Sequence, residues 1–188
     1  MVRWQPDAVG RLERAALELY AERGFEQTTV AEIAERAGVT ERTFFRYFSD
    51  KREVLFQGSA HLQTVAIEAV AASPDPIVPI DAVASAIQAI AELLQDGRDR
   101  SRVRAAVIDA NVPLQERELL KMASLARAVG EALEVRGVPA SAAAIAAQSG
   151  STVFALSFAR WIADPDVDDY PALVRESFQE LKAVAGGS

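Results

Sequence analysis

The chain has no cysteine and a single histidine, His61. Disulfide staples, iron–sulfur clusters, cysteine-ligated zinc and cysteine nucleophiles are therefore excluded, and a histidine-built metal site is not expected. The lack of cysteine is compatible with a reducing cytoplasm. Alternation of period two is also missing, so no stretch reads as a half-buried strand. Near the start, Arg3, Asp7, Arg11, Glu13 and Arg14 interrupt any apolar run, and no export signal is expected. Gly137 to Ala159 is free of charge, but Pro139, Ser141, Gln148, Ser149, Ser151, Thr152 and Ser157 punctuate it and alanine makes up most of the rest. That content is a weak driver of insertion, so the segment reads as a helix buried in protein and not as a membrane span.

What is present is an ordinary globular composition: 188 residues, 50% hydrophobic and 25% charged. The net charge of −7 is unevenly spread. Residues 1–56 hold nine basic and ten acidic side chains, and the remainder holds eleven and seventeen. Any binding of nucleic acid must then rest on a small local cluster rather than on global charge. Apolar spacing is helical throughout, as in Ile80, Val83, Ile87, Ile90 and Leu94, or Val174, Phe178, Leu181 and Ala185. Gly24, Gly38, Pro74, Pro76, Gly97, Pro113, Gly137, Pro139, Pro165 and Pro171 divide the chain into helix-sized pieces. The expectation is an all-α protein of about nine helices near 8–23, 30–37, 41–47, 51–72, 79–95, 99–110, 113–136, 139–163 and 170–185. The first three are short and must lean on the long fourth, which places a domain boundary near residue 56.

The informative stretch is GFEQTTVAEIAERAGVTERTFFRYFSDKREVLF, residues 24–56. Thr29 and Glu32 form a capping box, Ile33, Ala34 and Ala37 supply an apolar face, and Gly38 ends the second helix. Thr40 can cap a third helix that buries Phe44 and Phe48. Asp50 with Glu53 forms another capping arrangement, expected to start the fourth helix at Lys51. Two short helices joined through a glycine turn make a helix-turn-helix, whose second helix enters the DNA major groove. Thr40, Arg42, Thr43 and Arg46 can bond base edges or phosphates; Tyr47 offers a hydroxyl, and Lys51 a charge at a helix start. Arg36 is read as a solvated helix residue.

The run GF..TTV..IA..AGV followed by T..TFFRYF.DK..V resembles the N-terminal DNA-binding region of the tetracycline-repressor (TetR) family of bacterial transcriptional regulators, over roughly residues 8–56. The resemblance implies a dimeric regulator of double-stranded operator DNA, in most cases a repressor acting in the cytoplasm, with contacts from Thr29, Thr40, Glu41, Arg42, Thr43, Phe45, Arg46, Tyr47 and Lys51. Phe45 stands where the family often has tyrosine, so a hydroxyl bond to phosphate is absent and Tyr47 and Lys51 carry more of the anchoring. Glu41 either accepts from a cytosine amino group or faces water.

Residues 57–188 show no family-diagnostic motif; the resemblance implies a helical domain that dimerises and encloses a small-molecule effector. For the effector pocket the candidates are His61, Val65, Ile87, Met122, Leu125, Phe154, Phe158 and Trp161, which favour an apolar or aromatic ligand. For a homodimer interface they are the small-residue face Ala143, Ala147, Gly150, Ser151 and Phe154 with Val174 and Phe178 of the last helix; burial of the same face inside one subunit is the alternative. The basic run at Arg98, Arg100, Arg102 and Arg104 has Asp96, Asp99 and Asp109 beside it and reads as a solvated or ion-paired helix start. No cofactor, metal site or catalytic set is expected: no G-x-S-x-G elbow is present and no spacing selects a carboxylate pair. A constitutive DNA binder, a helical interaction protein and an enzyme are the rival readings.

Overall fold

The computed structural model describes residues 7–186, and the described residues form nine α-helices and two short 3-10 turns, with no strand. The helices are α1 (Ala8–Arg23), α2 (Val30–Arg36), α3 (Glu41–Tyr47), α4 (Ser59–Ala71), α5 (Pro79–Leu94), α6 (Arg98–Asp109), α7 (Val112–Val135), α8 (Ala140–Ala163) and α9 (Tyr170–Gly186). They fall into two compact units. The first comprises Met1–Gly58 and Val103–Glu118, and the second Ser59–Arg102 and Leu119–Ser188. Residues 103–118, which a linear division at residue 56 leaves to the second region, thus pack with the first three helices. Helices α6 and α7 each begin in one unit and end in the other.

The fourth helix departs from expectation. Residues 53–56 form a 3-10 turn, Gln57 and Gly58 follow as a turn, and α4 begins only at Ser59. Asp50 does not start the fourth helix; its Oδ1 accepts from the Arg52 and Glu53 amides at 2.8 and 3.2 Å as the chain enters the 3-10 turn. Val54, Leu55 and Phe56 are three consecutive buried side chains, so this turn is covered by the core all round and does not follow the one-sided apolar stripe of a surface helix. Lys51 is accordingly not on a long helix.

The core of the first unit gathers Leu12, Ala16 and Leu19 of α1, Ile33 of α2, Phe44 of α3 and Leu114 of α7, all essentially inaccessible. Charged ties reinforce it. Arg104 donates through Nε to the Leu55 carbonyl at 2.7 Å, pairs with both oxygens of Glu118 and lies 5.2 Å from the Phe56 ring centre. Arg117 pairs with Glu53.

In the second unit α5 is central, with α4, α8 and α9 packed against it. Ala143, Ala147, Gly150, Phe154, Val174 and Phe178, expected to face a partner subunit, are instead buried in this chain's own core, and Ser151 is half-buried. The reason is close helix approach within one subunit. A Cβ on Gly150 would lie 2.1 Å from Val83 Cγ1 of α5, and one on Gly130 of α7 would lie 3.8 Å from the Ala147 Cβ. The small residues are there to seat α8 on α5 and α7. Helix α8 is the one described helix long and apolar enough to cross a membrane by length and composition, and its inner face lies in this core.

The arginine run behaves as ion-paired structure. Arg98 donates to the Val167 and Asp164 carbonyls in the α8–α9 connection, and Arg102 pairs with Asp99 at 3.3 Å and donates to the Ile162 carbonyl. Gln95 joins them, donating to the Asp168 carbonyl at 2.6 Å and accepting from the Tyr170 amide at 2.9 Å. At the far end of α4, Arg136 donates to the Val70, Ala71 and Ser73 carbonyls, at and just beyond the helix's C-terminal end.

Candidate nucleic-acid interface

Helix α2 is stopped and started by its own sequence. At its start Thr29 Oγ1 accepts from the Glu32 amide at 3.3 Å while the Glu32 carboxylate accepts from the Thr29 amide at 2.8 Å, completing the capping box. Those bonds, the Thr29 backbone bond first, hold the Glu32 carboxyl below its ordinary pKa. At its end Gly38 has φ +67°, a left-handed conformation that side chains with a Cβ resist. That conformation lets the Gly38 amide reach the Glu35 carbonyl at 3.0 Å and the Val39 amide the Ala34 carbonyl at 2.9 Å, the paired closure of a Schellman turn. Thr40 then caps α3, accepting from the Thr43 amide at 3.2 Å, and its hydroxyl lies 3.0 Å from that of Thr43.

Helix α3 is anchored from beneath. Phe44 is fully buried and meets the Phe48 ring at 5.3 Å, so the helix cannot roll about its axis without opening the core. Its outer side presents Glu41, Arg42, Arg46, Phe45 and Tyr47 to solvent, with Thr43 half-buried. Phe45 is 55% exposed, an uncommon state for a large apolar side chain. Arg46 donates to the Tyr47 hydroxyl at 2.7 Å, with its guanidinium 4.7 Å from that ring's centre. Arg42 has no ion pair or hydrogen bond among the described residues, so its charge is open to an anion.

The structure separates the remaining expected contacts from this face. Lys51 donates to the carbonyls of Phe25, Glu26 and Thr28 at 2.8, 3.3 and 2.9 Å, and its Nζ sits 4.3 Å from the Phe25 ring centre. All three ammonium protons are occupied in holding the α1–α2 loop. The Thr29 hydroxyl is engaged in the capping box. Arg36 is more than a solvated helix residue: it makes a bidentate pair with Glu22 at 2.9 Å and a longer contact with Glu18, binding α2 to α1. That hydrogen-bonded pairing pushes the Glu22 carboxyl below its ordinary pKa.

Sequence reasoning missed two positioning residues. Tyr20 is buried in α1 and donates its hydroxyl to the Lys51 carbonyl at 2.6 Å; burial, and then the Asp50 charge, push its phenol pKa well up. Arg11 donates to the Ala37 carbonyl at 3.1 Å, tying α1 to the turn itself. The signal for Tyr20 was its place on the apolar stripe of α1; nothing in the sequence pointed Arg11 at residue 37.

An exposed, capped helix with two arginines, a threonine pair and a tyrosine, preceded by a Schellman turn and a second capped helix, can lie in a major groove and bond both phosphates and base edges. Comparison with known proteins agrees with that geometry. Residues 13–57 match the family model described as bacterial regulatory proteins of the tetR family. The HTH-type transcriptional regulator TcmR of Streptomyces glaucescens is 37% identical over 87 residues, a match spanning 46% of this chain and 38% of that relative. Among solved structures, a TetR-family regulator from Syntrophomonas wolfei superposes with a TM-score of 0.70 at 16% identity, covering 96% of this chain and 95% of the other. FadR of Bacillus subtilis, in complex with stearoyl-CoA, gives 0.66 at 19% identity, covering 92% and 96%. FadR of Thermus thermophilus, a repressor in complex with lauroyl-CoA, gives 0.56 at 25% identity, covering 92% of each chain. By its helix-turn-helix geometry and these likenesses, residues 13–57 form a DNA-binding region of the type found in bacterial regulatory proteins of the tetR family.

Proposed function

We propose that this regulator is a homodimeric repressor that reads a palindromic operator with α3 and releases it when a small molecule binds the second unit. The observation that carries the reading is the outer face of α3, where Arg42, Thr43, Arg46 and Tyr47 are presented by a helix fixed at both ends. In a two-fold dimer the two copies of α3 sit about 34 to 36 Å apart, or a multiple of that, to meet successive major-groove faces. Such a regulator works in the cytoplasm, where its operator is.

Subunit pairing belongs to the outer side of α8. Ile145 and Leu156 are each 69% exposed there, with Gln148, Thr152 and Ala155 between them, Ala159 beyond, and no charge on that stretch. This face replaces the inward one read from sequence.

Effector candidates Ile87, Leu125, Phe154 and Trp161 lie in the buried cluster of the second unit, with Val65, Met122 and Phe158 packed half-exposed against it, whereas His61 faces solvent and is withdrawn. The FadR relatives, crystallised with acyl-CoA ligands, support a ligand-responsive reading. The expected 51–72 helix, interrupted at residues 57–58, cannot carry a signal between the two units as one rod. The elements continuous through both compact units are α6 and α7. A ligand that prefers one state ten- to hundredfold supplies roughly 1.4 to 2.7 kcal/mol of coupling.

The test is a mobility-shift titration of the chain on its own upstream DNA. Arg42→Ala and Thr43→Ala are expected to change base preference within a half-site, at a cost on the order of 1 to 3 kcal/mol for a lost bidentate contact. Unaltered binding and preference in both variants would overturn the assignment of α3 as the reading helix. A shift that no small molecule reverses would leave a constitutive DNA binder.

A further inference from the structure

We propose that the effector site of the second unit is built around Tyr170 and takes a flat, uncharged aromatic molecule whose carbonyl-type oxygen accepts a hydrogen bond from the Tyr170 hydroxyl. Four rings stand together there. Phe154, Phe158 and Trp161 follow one another along one side of α8, and Tyr170 opens α9. The Phe154 and Phe158 rings stack at 5.8 Å; Phe158 lies 5.9 Å from Trp161 and 6.2 Å from Tyr170; Trp161 and Tyr170 stack at 4.5 Å and 11°. Phe158 alone of the four is half-exposed, and Leu62, Val65 and Met122, also half-exposed, pack against the larger core to which these rings belong. Entry past Phe158 adds one more plane to a ladder of planes, the arrangement aromatic quadrupoles favour.

The hydroxyl supplies the polar half of the argument. Tyr170 is fully buried and its Oη has no hydrogen-bond partner among the described residues. Ser157 draws the phenol pKa down, but no hydrogen bond of ordinary geometry joins it to Tyr170, and its own hydroxyl donates to the Phe154 carbonyl at 3.2 Å. Burial dominates and pushes the phenol pKa well up, so at neutral pH Oη keeps its proton and remains a donor. An unpaired buried donor is costly, and phenylalanine would fill the same space without that cost. A ligand oxygen placed on Oη removes the penalty only in the bound state, which is how a polar anchor gives selectivity inside an apolar site.

The same unit argues against a polyanion such as an acyl-CoA. Its well-covered cations, Arg98 and Arg136, are committed to backbone carbonyls, and residues 59–102 and 119–188 together carry fourteen acidic against nine basic side chains. Arg98 Nε is the other buried unpaired side-chain donor among the described residues of this unit, but both terminal nitrogens of that guanidinium already hold the α8–α9 connection. An acyl chain also has no plane to stack.

The inference deepens the ligand-release reading above and rests on it only for what binding does to the operator. Calorimetric titration of the full chain with 9-fluorenone and with fluorene, which differ by one carbonyl, tests it. The expected result is at least a tenfold preference for fluorenone, abolished by Tyr170→Phe, with fluorene binding and melting temperature not reduced in the variant. Equal affinities in the wild type, a preference that survives Tyr170→Phe, or binding of lauroyl-CoA with neither tricycle bound would each overturn the site. Operator release is read separately by mobility shift. Tyr170-dependent binding that leaves the operator bound contradicts the ligand-release reading and upholds the site; release by another molecule with no tricycle bound does the reverse.

Discussion

Lys51 shows how a residue singled out by its place in the sequence can hold a different job in the fold. Its place after the third helix marks it as a phosphate anchor, yet its ammonium is bound by three carbonyls of the α1–α2 loop. Hydrogen bonds to a charged group contribute about 1.5 to 3 kcal/mol, more than neutral ones. Lys51→Ala should therefore lower the urea midpoint by an amount in that range and change the salt slope of DNA binding little. Arg42→Ala should do the opposite, leaving the midpoint unchanged and reducing the magnitude of the slope by about 1 if it neutralises one phosphate. The paired measurement, denaturation beside binding at several salt concentrations, separates the two roles; a Lys51→Ala variant with wild-type stability and a flattened slope would return the lysine to the DNA. The caps at Thr29 and Thr40 were legible because each joins residues three apart. The bonds Lys51, Arg11 and Tyr20 make were not, because each joins residues 23 or more positions apart and no periodicity reports such pairs.

At the scale of elements, eight of the nine helices lie within two residues of where apolar spacing and glycine or proline punctuation put them. The miss is instructive: Val54, Leu55 and Phe56 are buried side by side, and a run of adjacent apolar residues carries no period with which to tell a 3-10 turn from the first turn of a helix. Gly150 was likewise singled out for its small size, and what its smallness serves was decided only by packing. A Cβ there meets Val83 Cγ1 at 2.1 Å, and Val83 is a stiff β-branched side chain with no accessible surface. Gly150→Ala should cost about 1 to 3 kcal/mol by overpacking, although alanine is the better helix former, and Val83→Ala in the same chain should recover part of it. Additive losses in the double variant, measured by thermal melts, would argue against this contact. Acid bears on α2 in the same way. The Glu32 carboxyl is held below its ordinary pKa first by the Thr29 amide, so its stabilising effect is present above the ordinary carboxylate range and is lost as pH falls through the lowered value. Urea midpoints should decline below about pH 4, and Glu32→Gln should show a shallower decline.

At the scale of the molecule, the inward and outward faces of α8 make opposite predictions for one experiment. The inward face is what the sequence draws attention to, since its small residues at helical spacing are the mark of close helix contact. That contact is made within the chain, so a charge at Ala147 must enter the core. Ala147→Glu should unfold the second unit, and any loss of dimer or of operator binding would follow from unfolding. The outward face is quieter in sequence because Ile145 and Leu156 stand among alanine, serine, threonine and glutamine, and an uncharged exposed stripe looks the same whether solvent or a partner covers it. What sets it apart in three dimensions is the combination of two aliphatic side chains at 69% exposure with a complete lack of charge over Ala140–Ala159, on a helix otherwise fixed in the core. An isologous contact places this stripe against its own copy, so one substitution acts twice. Leu156→Arg or Ile145→Asp should leave the melting curve and helical circular dichroism near wild type, reduce the particle measured by light scattering to half its mass, and weaken operator binding together with dimerisation. If the charged variants remain dimeric, or the wild type is a monomer at concentrations where it binds DNA, the stripe is not the subunit interface and the two-fold reading of the operator goes with it.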